Sequence, residues 1–226
     1  MPEASLDDPR FISPRLIGAV YLGFFVTAAL GLYLTRGVVS PGDAAATANA
    51  IQAHGDLFRA GFAVTLVSNV LYIGVTALFY RFFGPVNWAI SLMAAFFSLA
   101  GCVVQIAGGL LQVGALAVLA DGPMAKAFSV QQLQAASLFS LGLYSQSFTI
   151  SLVLFAVYDL LLGWLVLASG FVPKALGVLL VAAGLGWATF LWPPLAKAVG
   201  AFVMPLGALA EIALMLWLLT RSAASS

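Results

Sequence analysis

The chain has 226 residues, of which 63% are apolar and only 8% charged, and its mean hydropathy is +1.09. A soluble domain carries roughly 25% charged residues, so a water-facing surface is excluded and a polytopic membrane protein is indicated. The formal net charge of +1 comes with no basic patch or stripe, which leaves no basis for nucleic-acid binding.

The chain opens MPEASLDDPRFISPR, an acidic and polar start. A secretory signal would instead lead from a positive region straight into a short apolar core, so the first apolar segment reads as a retained helix. A crossing needs about 20 apolar residues, and six segments supply it. In chain order they are approximately Leu16–Thr35, Ala60–Tyr80, Trp88–Leu119, Leu138–Ala168, Ala175–Trp192 and Gly200–Leu219. These are continuous apolar runs without the alternation of barrel strands, and lipid requires each backbone group to be satisfied within its own element. The expected fold is an all-α, polytopic transmembrane helical bundle of six spans, forming a single integral membrane domain over residues 1–226.

The third and fourth runs exceed one crossing and must tilt, kink or project. Gly108-Gly109 is a candidate weak point in the third, and Leu138–Leu143 a candidate interfacial turn in the fourth. Between the first two spans, Gly42–Phe58 is Ala-rich and reads as a surface helix. Asp121–Ser137 opens with a Gly-Pro turn and continues with helix formers. The first and fifth spans begin alike, Pro14-Arg15-Leu16-Ile17-Gly18 and Pro173-Lys174-Ala175-Leu176-Gly177; proline suits a first helical turn and a basic residue there snorkels to headgroups. Trp88, Trp164, Trp187, Trp192 and Trp217 fall mostly near span ends, as an aromatic belt would. Pro205 inside the last span is a candidate kink.

Basic residues near span ends set orientation. Arg10, Arg15, Arg81, Lys174 and Arg221 lie on the side holding the termini, against Arg36, Arg59, Lys126 and Lys197 on the other. This places both termini in the cytoplasm by a narrow margin.

Two carboxylates interrupt the apolar runs: Asp159 in the fourth span and Glu211 in the sixth. A carboxylate in hydrocarbon costs about 2.5–3.5 kcal/mol on insertion scales unless it is neutralised, paired or turned to a polar cavity. Both are therefore expected to face inward. Polar residues recur at helical spacing on the spans between. Thr65, Ser68, Asn69, Tyr72 and Thr76 share one face of the second, and Ser98, Cys102, Gln105, Gly109 and Gln112 one face of the third. Tyr144, Ser147, Ser151 and Tyr158 share a face of the fourth, with Asp159 beside it. The Ser, Thr and Gly positions read as packing surface, since small and hydroxyl residues let membrane helices approach. The candidate ligand-binding or proton-carrying residues are Glu211, Asp159, Asn69, Gln105, Gln112, Tyr72, Tyr158 and Arg59.

No His/Cys/carboxylate set has metal-ligand spacing, and no Gly-rich phosphate loop is present. His54 is the sole histidine and lies in a loop, so a Ser-His-Asp arrangement cannot form. The sequence thus supports no catalytic set and leaves any cofactor unknown. The sole cysteine, Cys102, cannot form a disulfide within the chain. Three function classes remain. The first is a non-catalytic module binding a lipophilic or small ligand, or a partner membrane protein, in a polar pocket within the bundle. The second is a small proton-linked transporter using Glu211 and Asp159. The third is a lipid-modifying enzyme relying on the sparse set His54, Asp56, Asp121 and Lys126.

Four segments carry a family resemblance: GDLFRAGF (55–62), LFYRFFGPVN (78–87), SGFVPKALGVLL (169–180) and AEIALMLWLL (210–219). Together they resemble a bacterial membrane family described as domain of unknown function 4386, over nearly the whole chain. Arg59, Pro173, Lys174, Gly177 and Glu211 match its motif positions. The stretch at Tyr158-Asp159 departs from the family pattern, where a histidine is common, so Asp159 is particular to this chain. The resemblance implies a multi-helix membrane protein and no established activity; the expected location is the bacterial inner membrane.

Overall fold

The structure is a computed structural model that describes residues 12–221. Arg10 and most of the acidic N-terminal stretch lie outside the described residues. Among the described residues eight α-helices follow in order: α1 (Pro14–Thr35), α2 (Ala44–Ala53), α3 (Gly55–Phe83), α4 (Trp88–Val118), α5 (Pro123–Ala127), α6 (Val130–Ser169), α7 (Lys174–Ala188) and α8 (Pro193–Thr220). A 3-10 turn, Thr189–Leu191, joins the last two, and there is no strand among the described residues. Six of the helices, α1, α3, α4, α6, α7 with its 3-10 turn, and α8, are long and apolar enough to cross a membrane. The protein is a multi-pass membrane protein of the expected class.

Local chemistry explains where helices start. The Asp43 side chain caps α2 by accepting from the Ala46 N–H at 2.8 Å. Asn87 does the same for α4, accepting from Ile90 N–H at 3.1 Å. Ser129 and Gln132 form a reciprocal capping box for α6: the Ser129 N–H donates to Gln132 Oε1 at 2.9 Å, and the Gln132 N–H to Ser129 Oγ at 3.3 Å. This cap is why α6 starts eight residues before the expected span and runs 40 residues without a break at Leu138–Leu143. At 1.5 Å per residue that is about 60 Å, twice a hydrocarbon core of about 30 Å.

Gly108-Gly109 does not break α4. The two glycines instead receive neighbours: a Cβ on Gly108 would overlap Ser147, and one on Gly109 would meet the Phe62 ring at 2.8 Å. Pro205 likewise sits inside an uninterrupted α8.

The chain forms two compact units built from interleaved segments. Unit one comprises the described residues up to Gly23, Leu71–Cys102 and Thr149 onward; unit two comprises Phe24–Val70 and Val103–Phe148. In unit one, α6 and α7 meet through glycines. A Cβ on Gly163 would lie 2.9 Å from the Gly177 carbonyl oxygen, and one on Gly177 would lie 2.9 Å from that of Gly163. Such backbone approach is the packing mode that lipid favours. An aromatic series, Phe79, Phe82, Phe83 and Phe171, fills another part of this unit.

Unit two is centred on Val38, Ile51, Phe58, Ala115 and Leu141. Ser137 and Ser140 on α6 donate to the α4 carbonyls of Ala115 at 3.1 Å and Leu111 at 2.6 Å. Thr47 Oγ1 both accepts from the Ser40 N–H at 3.0 Å and donates to its carbonyl at 3.2 Å, which fixes the turn before α2.

Candidate functional site

The polar stripes of α3 and α4 are buried, as their spacing predicts. Ser68, Asn69, Tyr72, Thr76, Ser98, Cys102 and Gln112 are all within 5% of full burial. Most of the hydroxyls serve packing: Ser68 and Thr65 donate to carbonyls of their own helix, and Thr76 shares a 2.6 Å hydrogen bond with Ser98 across α3 and α4.

The carboxylates differ. Asp159 on α6 is 0% exposed. Its Oδ2 accepts from the Trp187 Nε1–H of α7 at 3.0 Å, while its Oδ1 has no hydrogen-bond partner among the described residues. Glu211 on α8 is only partly buried; its Oε1 accepts from the Tyr72 hydroxyl of α3 at 3.2 Å, and the Tyr21 hydroxyl of α1 is also within its reach. The two carboxylates are close enough to interact electrostatically. No lysine, arginine or histidine among the described residues pairs with either one.

Aromatic rings enclose the pair. Tyr72 stands edge-to-face with Tyr21 at 5.9 Å, Phe155 at 5.4 Å and Tyr158 at 6.2 Å. The Tyr158 hydroxyl is buried with the Tyr72 hydroxyl within its reach, whereas Asp159 Oδ1 has no partner of this kind among the described residues. Buried polar atoms usually find partners, and each exception calls for a reason.

Of the expected site residues, Glu211, Asp159, Tyr72 and Tyr158 come together in unit one. The other four lie in unit two. Asn69 donates to the Thr65 carbonyl of its own helix at 3.0 Å; Gln112 is buried on α4, and Gln105 is partly buried one face-repeat earlier. Arg59 does not reach inward: it is exposed and pairs with Asp56, one turn before it on α3, at 3.1 Å.

Two residues of the cluster were not among those expected. Tyr21 is fully buried on α1, and Trp187 is buried on α7 instead of standing in an interfacial belt. Trp88, Trp164 and Trp192 keep the exposed positions a belt requires. Trp187 turns inward because Gly207 on α8 leaves room for its indole; a Cβ there would overlap the ring. A signal for it existed, since Leu176, Gly177, Leu180, Ala183, Gly184 and Trp187 lie at helical spacing and all are buried.

His54 terminates α2 at an exposed position, and no group of three metal-ligating side chains occurs among the described residues. Neither a curated protein nor a solved structure matches the chain. The family model described as Domain of unknown function (DUF4386) matches residues 16–222. That match covers well over half of the chain and reaches all six helices long enough to cross a membrane, and the chain belongs to this family.

Proposed function

We propose that this protein is a non-catalytic binding module, acting as one integral membrane domain, whose ligand is largely apolar and presents a single hydrogen-bond donor or positive charge to Asp159. The observation that carries this reading is the unpartnered Oδ1 of a fully buried carboxylate. Leaving such a group unsatisfied costs about 1–3 kcal/mol or more, a cost that a bound donor removes. The rings of Tyr72, Phe155 and Tyr158, packed edge to face, suit the apolar body of a ligand. Localisation in a bacterial inner membrane with both termini cytoplasmic belongs to the same reading.

Native mass spectrometry of the protein extracted in mild detergent tests it. The wild type retains a small-molecule mass that Asp159→Asn lacks while keeping its fold. A bare chain in both removes the binding role.

Proton-linked transport through Glu211 and Asp159 is the second reading, favoured by two interacting carboxylates without a cation. It requires pH-dependent uptake into vesicles that disappears in Glu211→Ala. Absence of flux across a broad substrate panel leaves the binding role alone.

A further inference from the structure

Unit two carries a cleft unrelated to the carboxylates. Its outer part, about 420 Å³, is lined by the turn between α2 and α3, including His54, Asp56 and Arg59, and by Leu119 and Ala120 after α4. A second compartment of about 260 Å³ shares Arg59, Leu116 and Ala120 with the first and continues along Phe58, Phe62, Val113 and Ala117. The two compartments adjoin at these shared residues, and their lining changes from polar to apolar.

The direction of that change follows the membrane. Asp56 and Arg59 occupy the first turns of a spanning helix, and Leu119 and Ala120 follow the last turn of another. Span ends of this kind lie near headgroup depth, since a crossing needs about 20 residues. Phe62 lies one turn further into α3 and Val113 about two turns back into α4, so the apolar compartment descends into the hydrocarbon at about 1.5 Å per residue. Gly109 sets the inner wall by seating the Phe62 ring. Small residues, Gly55, Ala117 and Ala120, leave the space open.

The mouth holds both signs of charge. Arg59 gives one N–H to Asp56 Oδ1 at 3.1 Å; a guanidinium has five donors in a planar fork suited to phosphate, and the rest have no partner among the described residues. Asp56 is fully exposed, with accepting capacity facing water. A purely anionic head would meet the Asp56 carboxylate. A zwitterion satisfies both, phosphate on Arg59 and ammonium on Asp56. A primary ammonium donates hydrogen bonds to a carboxylate, whereas a quaternary one has no N–H.

We infer that this cleft is a binding site for a zwitterionic glycerophospholipid with a primary ammonium head, phosphate on Arg59, ammonium on Asp56, and one acyl chain along Phe62, Val113 and Ala117.

The test is native mass spectrometry of the delipidated full-length protein, titrated with an equimolar mixture of phosphatidylethanolamine, phosphatidylcholine and phosphatidylglycerol of identical chains. Phosphatidylethanolamine adducts should exceed each of the others by roughly two- to fivefold, the selectivity an exposed ion pair provides. Arg59→Gln should abolish that preference, and Asp56→Asn should shift it toward phosphatidylglycerol. Both side chains are exposed, so the variants fold. Ala117→Trp, at an exposed position, should reduce adducts of all three lipids without changing their order, because it fills the acyl compartment only. Equal retention of the three lipids, which marks non-selective annular binding, overturns the inference. So does a phosphatidylglycerol preference in the wild type, or an order unchanged by Arg59→Gln and Asp56→Asn.

Discussion

Trp187→Phe removes the one hydrogen bond that Asp159 makes within the described residues, 3.0 Å from Nε1 to Oδ2. Bonds to charged groups contribute about 1.5–3 kcal/mol in soluble proteins. Between transmembrane helices the average is about 0.6 kcal/mol and the maximum about 1.7, because polar groups in the unfolded membrane state find other partners. Asp159 is 0% exposed and its second oxygen is already unpartnered, so relaxation offers little compensation. The coupling should therefore lie near the top of the membrane range, at about 1–2 kcal/mol. The smaller ring adds a packing loss of its own. A double-mutant cycle with Asp159→Ala subtracts that loss, since it occurs in both backgrounds. The assay is reversible unfolding in mixed micelles of dodecyl maltoside and sodium dodecyl sulfate. If Trp187→Phe destabilises equally with Asp159 present and in the Asp159→Ala background, the indole does not hold the carboxyl and the geometry of the cluster is wrong.

Three further predictions rest on the same cluster and its supports. Gly207→Ala should destabilise by about 1–3 kcal/mol, the usual range for overpacking, because the new Cβ overlaps the Trp187 indole; combining it with Trp187→Phe should recover part of the loss in thermal melts, and additive losses would refute the contact. Glu211→Gln should fold as the wild type does, keeping a carbonyl that accepts from Tyr72, whereas Glu211→Lys offers only donors and should lower the yield of monodisperse protein. Equal yields would place this side chain at the lipid edge. Gly163→Val should separate α6 from α7 and destabilise by about 3 kcal/mol, read by the same unfolding assay, since a Cβ there already lies 2.9 Å from the Gly177 carbonyl oxygen; a neutral effect would mean these helices do not approach so closely.

The spans were legible because lipid imposes a length of continuous apolar sequence that no loop satisfies. The buried faces of α3 and α4 were legible for the same kind of reason: helical spacing fixes which residues share a side. Spacing does not fix which neighbour a side meets, nor which of two packed units a turn belongs to. Asn69 and Tyr72 are three residues apart on one stripe, yet Tyr72 reaches Glu211 while Asn69 bonds its own helix in the other unit. Asp159 and Glu211 were legible as charges among hydrocarbon residues. Trp187 was legible only in part: its spacing put it on the buried face of α7, but the room for its indole depends on an absent side chain at Gly207, twenty residues later. Tyr21 was missed because a single tyrosine in an apolar helix resembles ordinary core. The echo of Pro14–Gly18 and Pro173–Gly177 acquires a physical meaning. In each, the glycine stands where another helix comes close: Leu219 of α8 approaches Gly18, and Leu167 and Gly163 of α6 approach Gly177.

The binding role stands or falls on what occupies the space beside Asp159 Oδ1. An experimental density map of the protein extracted with its native lipids answers this directly. The account predicts non-protein density within hydrogen-bonding distance of that oxygen, bordered by Tyr72, Phe155 and Tyr158. Side chains closing over the oxygen, with a protein donor bonded to it, would contradict the account.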